Sequence, residues 1–98
     1  MTINHSKSGS TLSIALGGRL DTTTAPQLEA VLKDALEGVT ELNFDFQSLE
    51  YISSAGLRVL LGAQKIMNRQ GSMPIRNVSA EIMEIFEITG FADILTIE

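Results

Sequence analysis

Hydrophobic and polar positions change period several times along the chain, and each change marks an element. Thr11 to Leu16 alternate, with Leu12, Ile14 and Leu16 on one side and Thr11, Ser13 and Ala15 on the other. A period of two predicts a strand covered on one face. Residues around Ile3 supply a short partner strand, with the polar stretch Ser6 to Ser10 as the turn, and Gly17-Gly18 breaks the pattern. From Pro26 to Glu37 the period becomes helical: Leu28, Val31, Leu32, Ala35 and Leu36 share a face, and Gly38 supplies the stop. Thr24 and Gln27 have the spacing of a capping box, and Pro26 falls where a first turn needs no donor. Leu42, Phe44 and Phe46 alternate with Asn43 and Asp45 as a second strong strand. Gln47 to Ser53 reads as a loop leading into a second helix, which Gly71 ends. Leu57, Leu60, Leu61 and Met67 make its stripe, widened by Val59, Ala63 and Ile66. Met73 to Val78 holds a short strand, at a strand start or an edge because of Pro74. Ser79 caps a third helix with the stripe Ile82, Ile85, Phe86 and Ile88; Gly90 stops it, and Ile94 to Ile97 is a last short strand.

The order β-β-α-β-α-β-α-β predicts an α/β fold with crossover units and a mixed, mostly parallel sheet. Parallel strands covered on both faces read as continuous apolar runs, whereas the strand at Leu42 to Phe46 alternates with polar residues. Helices are therefore expected mainly on one face. With 98 residues and 44% apolar side chains the chain is expected to form one domain over residues 1–98.

Charge and composition narrow the function. Seven Lys and Arg face twelve Asp and Glu, a net charge of −5. That balance argues against nucleic acid, which calls for a basic stripe, and against a polybasic membrane patch. No stretch approaches the ~20 apolar residues of a membrane span, and the polar N-terminus lacks a signal core, so the expected location is cytoplasmic. There is no cysteine and one histidine, His5, which reads as a solvated or edge residue. No phosphate-binding loop or nucleophile elbow occurs. Glu81, Glu84 and Glu87 lie three apart and read as a solvated helix face, and Tyr51 reads as a packing residue. No catalytic residue, metal site or cofactor is expected.

The unusual stretch is Leu49 to Leu61. Its plain reading is strand, loop, serine cap and helix. Yet Ser53, Ser54, Ala55 and Gly56 are all small and leave the backbone open to a close partner. Gly56 just inside a helix costs up to ~1 kcal/mol relative to Ala. A hydroxyl at a helix start is also well placed for phosphorylation, because the phosphate meets free N–H groups and the positive end of the helix dipole.

Asp45 to Leu61 resembles the signature of STAS domains and is most similar to that of the anti-sigma factor antagonists. Gly18-Arg19-Leu20-Asp21, followed by Thr24-Ala25, resembles the family's first loop. Asn77-Val78 and Phe86-Glu87-Ile88-Thr89-Gly90-Phe91 resemble its C-terminal part. The likeness runs over nearly the whole chain in order. It implies the STAS fold, a mixed, mostly parallel sheet with helices on one face. Family members often carry a further C-terminal helix, expected here to be missing or vestigial because Glu98 follows the last strand.

The resemblance also implies a binding module and not an enzyme. In such systems the unphosphorylated antagonist binds an anti-sigma factor with a kinase-like ATP-binding fold. That partner phosphorylates a Ser or Thr at the loop–helix junction, and a metal-dependent serine phosphatase reverses it. ATP and Mg²⁺ belong to the partner. The usual motif is Asp-Ser-Ser-Gly-Leu or Asp-Ser-Thr-Gly-Leu, with the acceptor directly before Gly. Here that position is Ala55, and Ser53 replaces the Asp. Ser54 aligns with the middle hydroxyl and is the expected acceptor, with Ser53 as runner-up. Ala55 supports the alternative, a constitutive STAS interaction or scaffold domain without phosphoregulation. Arg58 is placed to pair with a phosphate or a partner carboxylate, or is an ordinary exposed arginine. The expected partner-binding residues are Asp21, Thr22, Thr23, Ser53, Ser54, Ala55, Gly56 and Arg58, with Thr24 as a helix cap.

Overall fold

The computed structural model describes all 98 residues. A hairpin of β1 (Thr2–Ser8) and β2 (Thr11–Leu20) leads into α1 (Ala25–Ala35). Then come β3 (Glu41–Ile52), α2 (Ser54–Gln70), β4 (Pro74–Arg76), α3 (Ala80–Thr89), a 3-10 turn (Phe91–Asp93) and β5 (Thr96–Ile97). The five strands lie in the order β1-β2-β3-β4-β5, with β1 antiparallel to β2 and every later pair parallel. This is the mixed, mostly parallel α/β sheet that the sequence predicts.

Because the strand order never reverses, crossovers of one hand put all the helices on one face. For the same reason the sheet has no topological switch point, the crevice where doubly wound sheets bind nucleotides. The covered face carries a core of 23 buried hydrophobic residues. Leu12, Ile14 and Leu16 of β2 and Leu42, Phe44 and Phe46 of β3 meet Leu28, Leu60, Met67 and Phe86 of the helices there. Phe46 packs edge-on against Phe44, with centroids 5.7 Å apart, and tilts against Phe86 at 6.5 Å. On the other face Ser13 and Arg76 are exposed and Asn43 and Asp45 half-buried, which explains their polarity. No helix is long and apolar enough to cross a membrane.

Several boundaries differ from the sequence reading. β1 continues through Ser8, so the turn shrinks to Gly9-Ser10; on an exposed edge, Ser6, Lys7 and Ser8 pair without needing apolar side chains. Gly17-Gly18 does not end β2. The pair is absorbed as two register shifts, and β2 runs on to Leu20. Gln47 to Ile52 is not a loop but the second half of β3, paired through Gly17↔Ser48, Arg19↔Tyr51 and Leu20↔Ile52. α1 stops at Ala35, two residues early. The capping box at Thr24 does not form, because the Thr24 hydroxyl points back and donates to the Arg19 carbonyl at 2.8 Å. Ile66 is 44% and Ile88 77% exposed, so neither belongs to a buried stripe. The last strand is only two residues, with Ile94 in the preceding turn.

Candidate functional site

Parallel pairing of β2 with β3 brings their C-terminal ends to one edge of the sheet, where Leu20 sits opposite Ile52. The Ser53 N–H donates to the Leu20 carbonyl at 2.9 Å. The β2–α1 turn and the start of α2 therefore lie side by side.

Asp21 builds the turn. Its Oδ1 accepts from the N–H of Thr23 at 3.0 Å, the N–H of Thr24 at 3.1 Å and the Thr24 hydroxyl at 3.2 Å. The Asp21 carbonyl accepts from the Ala25 N–H at 2.8 Å, which feeds the chain into α1. The Thr24 N–H, most of all, holds the Asp21 carboxyl below the usual aspartate range; the Thr23 N–H, the Thr24 hydroxyl and Arg19 add to this against partial desolvation. Thr22 and Thr23 are exposed beside it.

Ser53 is the N-cap of α2. It is extended, with φ −98° and ψ 176°, and its Oγ accepts from the Gly56 N–H at a long 3.5 Å. Capping thus falls to Ser53 and leaves Ser54, the exposed first residue of the helix, with its hydroxyl toward solvent. No acidic residue sits in the first turn to match the helix dipole. Gly56 is buried, and a Cβ there would lie 2.7 Å from Leu20 Cγ and 2.9 Å from Ile52 Cγ1. Glycine is what lets α2 come down onto the ends of β2 and β3, and that close approach offsets its helix penalty. Gly56 serves the site by position, since no side chain reaches the surface. Ala55 is half-buried and lines a shallow groove with Thr22, Pro26 and Arg58. Arg58 is exposed, four residues after Ser54 and so on the same helix face. The structure brings all eight expected contact residues to one end of the molecule.

The sequence reading missed Arg19 as part of this surface. Its guanidinium lies 4.2 Å from the centroid of the Tyr51 ring and 3.9 Å from Asp21 Oδ2. The pair stands on adjacent strands in register, and the signal was hidden because Tyr51 falls in the segment read as a loop. His5 is exposed on the edge strand β1, and Glu81, Glu84 and Glu87 lie exposed on α3. Asp45 lies apart, on the open sheet face. Its Oδ1 accepts from Asn77 Nδ2 and from the Gln47 N–H, each at 3.0 Å, and these two bonds in that order lower its pKa.

Comparison with known proteins agrees with this geometry. The family profile described as Mlab, STAS domain matches residues 3–96. The anti-sigma-B factor antagonist of Bacillus subtilis is 31% identical over 87 residues, covering 88% of this chain and 80% of the relative. That of Listeria monocytogenes is 33% identical over 90 residues, covering 89% and 78%. The solved structure of the unphosphorylated anti-sigma factor antagonist SpoIIAA has the same fold, with a TM-score of 0.78 at 21% identity over 99% of this chain and 87% of that one. With a profile match from residue 3 to residue 96 and antagonists as its relatives, the chain belongs to the STAS domain family, among the anti-sigma factor antagonists.

Proposed function

We propose that residues 1–98 act as one cytoplasmic domain that antagonises an anti-sigma factor. It is a binding module, not an enzyme, and its binding is switched by reversible phosphorylation of Ser54. The observation that carries this reading is the division of labour at the start of α2. Ser53 caps the helix, and Ser54 is left exposed beside the β2–α1 turn. The relatives named anti-sigma-B factor antagonist support the partner class.

The partner is an anti-sigma factor with a kinase-like ATP-binding fold. It transfers the γ-phosphoryl group of ATP to Ser54 Oγ, the hydroxyl proton passes to a base of the kinase, and ADP leaves. A metal-dependent serine phosphatase hydrolyses the phosphoserine and restores the hydroxyl. On this chain the phosphate would sit where α2 presents unmatched backbone N–H groups, within reach of Arg58. The fold therefore tolerates it, while about −1.5 to −2 of new charge appears at the centre of the contact surface and expels the partner. Asp21, Thr22, Thr23, Ala55 and Arg58 complete the contact, with Gly56 keeping the helix start low. With seven cations against twelve acidic groups, neither nucleic acid nor a membrane is a partner.

One observation favours a second reading. The residue directly before Gly56 is Ala55, without a hydroxyl, which suits a constitutive interaction or scaffold domain. Intact-mass spectrometry after incubation with the cognate anti-sigma factor and Mg-ATP decides between them. A single added phosphate, lost in Ser54→Ala and kept in Ser53→Ala, is expected. Stable binding without phosphate gain would leave the constitutive module in its place.

A further inference from the structure

Beside the Ser54 surface runs a groove between α1 and α2, floored by Leu32, Leu36, Val59, Ala63 and Ile66. It shares Glu29, Arg58 and Val59 with the shallow groove that Thr22 and Ala55 line, so the two are one continuous channel down from the helix starts. At about 220 Å³ it is too small for a typical small-molecule site and suits a few side chains of a docked helix. Ile66, at the edge of this floor, is 44% exposed. Gly62 leaves the wall of α2 low midway along, with nothing within 4 Å of where a Cβ would stand.

Cations outnumber carboxylates around this channel: Lys33 and Arg58 line it with Glu29, and Lys65 and Arg69 line the adjoining hollow beside Ile66. α2 carries Arg58, Lys65 and Arg69 and no acidic residue in its 17 positions. Lys33 adds a cation from α1, and Glu29 is the one carboxylate on the walls. The whole chain is net acidic, so this basic rim is local: all seven cations lie before Asn77 and none on α3 or β5.

We infer that the α1–α2 groove docks an acidic, apolar-faced helix of the same anti-sigma factor that the Ser54 surface engages. This rests on the partner assigned above. The apolar floor takes the anchors of the helix, as in other helix-in-groove contacts, while Lys33, Arg58, Lys65 and Arg69 face its carboxylates. Arg58 joins the two halves of the surface. With Ser54 unmodified it faces the acidic helix; with a phosphate one turn away it is drawn to the phosphate. Phosphorylation would then weaken the groove contact as well as the contact at the helix start.

The test titrates the cognate anti-sigma factor, loaded with ADP, against the full chain and four variants. Ile66→Asp is expected to weaken binding about tenfold or more, and Lys33→Glu about threefold, with a shallower salt dependence. Ile88→Asp, on the acidic α3 face, is expected to bind like wild type. In kinase assays Ile66→Asp should raise the KM for this chain and leave kcat for phosphate transfer to Ser54 unchanged. If Ile66→Asp and Lys33→Glu bind like wild type while Thr22→Glu weakens binding, the groove is idle, and the inference falls with the Ser54 reading intact. Absence of any binding by wild type overturns both. Sedimentation supplies the last arm: self-association of wild type that Ile66→Asp abolishes, with affinity for the anti-sigma factor unchanged, would make a second copy the occupant and overturn the assignment.

Discussion

α2 and α3 both begin after an extended serine whose Oγ accepts the N–H three residues on. Ser53 reaches Gly56 at 3.5 Å, and Ser79 reaches Ile82 at 3.2 Å. Beyond the cap the two helices diverge. α3 has Glu81 in its first turn, matched to the positive end of the helix, and fully buried Ile82 three residues after its cap. α2 has a second serine at its first position, no acidic residue in the turn, and Gly56 in the place of Ile82. The start of α3 is complete in itself: its cap bond is short, its dipole is answered and its base is packed. The start of α2 is bare, with a long cap bond and an unanswered dipole beside a free hydroxyl. The same capping pattern serves stability in one helix and is stripped down in the other, where the proposed phosphorylation of Ser54 would supply the missing anion.

The sharpest way to break this comparison is at the third position after each cap, where the two helices need opposite things. Ile82→Ala empties a fully buried site and is expected to cost about 3 kcal/mol in urea unfolding. Gly56→Val adds bulk where Leu20 and Ile52 already stand within 3 Å of a Cβ, and is expected to cost about 2 kcal/mol. A neutral Gly56→Val would mean that close approach does not dictate glycine there.

The caps come next. Ser79→Ala should cost about 1 kcal/mol, and Ser53→Ala about half of that because its bond is long. Ser54→Ala should leave the urea midpoint unchanged. A loss at Ser54 equal to that at Ser79 would make Ser54 a cap and remove the ground for reading it as a free acceptor. Ser54→Asp should stabilise by about 0.5 kcal/mol through the unanswered dipole. Ala80→Asp, at the same position of α3, should gain less because Glu81 is already there.

Much of this contrast was legible in the sequence because capping is local. Ser79, Gly90 and the spacing of Ile82 and Phe86 define α3 without reference to the rest of the chain. The Ser53-Ser54-Ala55-Gly56 cluster is likewise visible within one turn, and the STAS resemblance carried the partner class. What stayed hidden depends on distant pairing. β3 continues past Phe46 because β2 shifts register twice to accompany it. The buried residues Phe46, Leu49 and Ile52 then fall three apart, a spacing that suits neither a regular strand nor a long helix. Without that extension the Arg19–Tyr51 pair is invisible. Ile88 has the right spacing for the core of α3, yet the sheet beyond β4 ends in a two-residue strand. Thr24 has the right spacing for a capping box, but the Arg19 carbonyl is nearer to its hydroxyl's reach.

The smallest expected effect separates the loops that feed the two helix starts. Asp21 ties the turn beside α2, and Asp45 ties β3 to Asn77, just before the cap of α3. Both carboxyls titrate below the ordinary value of 3.8 in the folded chain: Asp21 first through the Thr24 N–H, Asp45 first through the Asn77 side chain. A depressed folded pKa contributes stability that is fully present above the unfolded value and is lost as pH falls through the folded one. Asp21→Asn and Asp45→Asn should therefore each flatten the fall in the urea midpoint below about pH 4 and leave its shape above about pH 5 unchanged. Affinity then tells the two apart. Asp21→Asn disturbs a turn on the proposed contact surface and should weaken binding of the anti-sigma factor at neutral pH. Asp45 lies on the open sheet face, so Asp45→Asn should not. Equal loss of affinity in both would mean that the partner reads the stability of the whole sheet and not the surface at the start of α2.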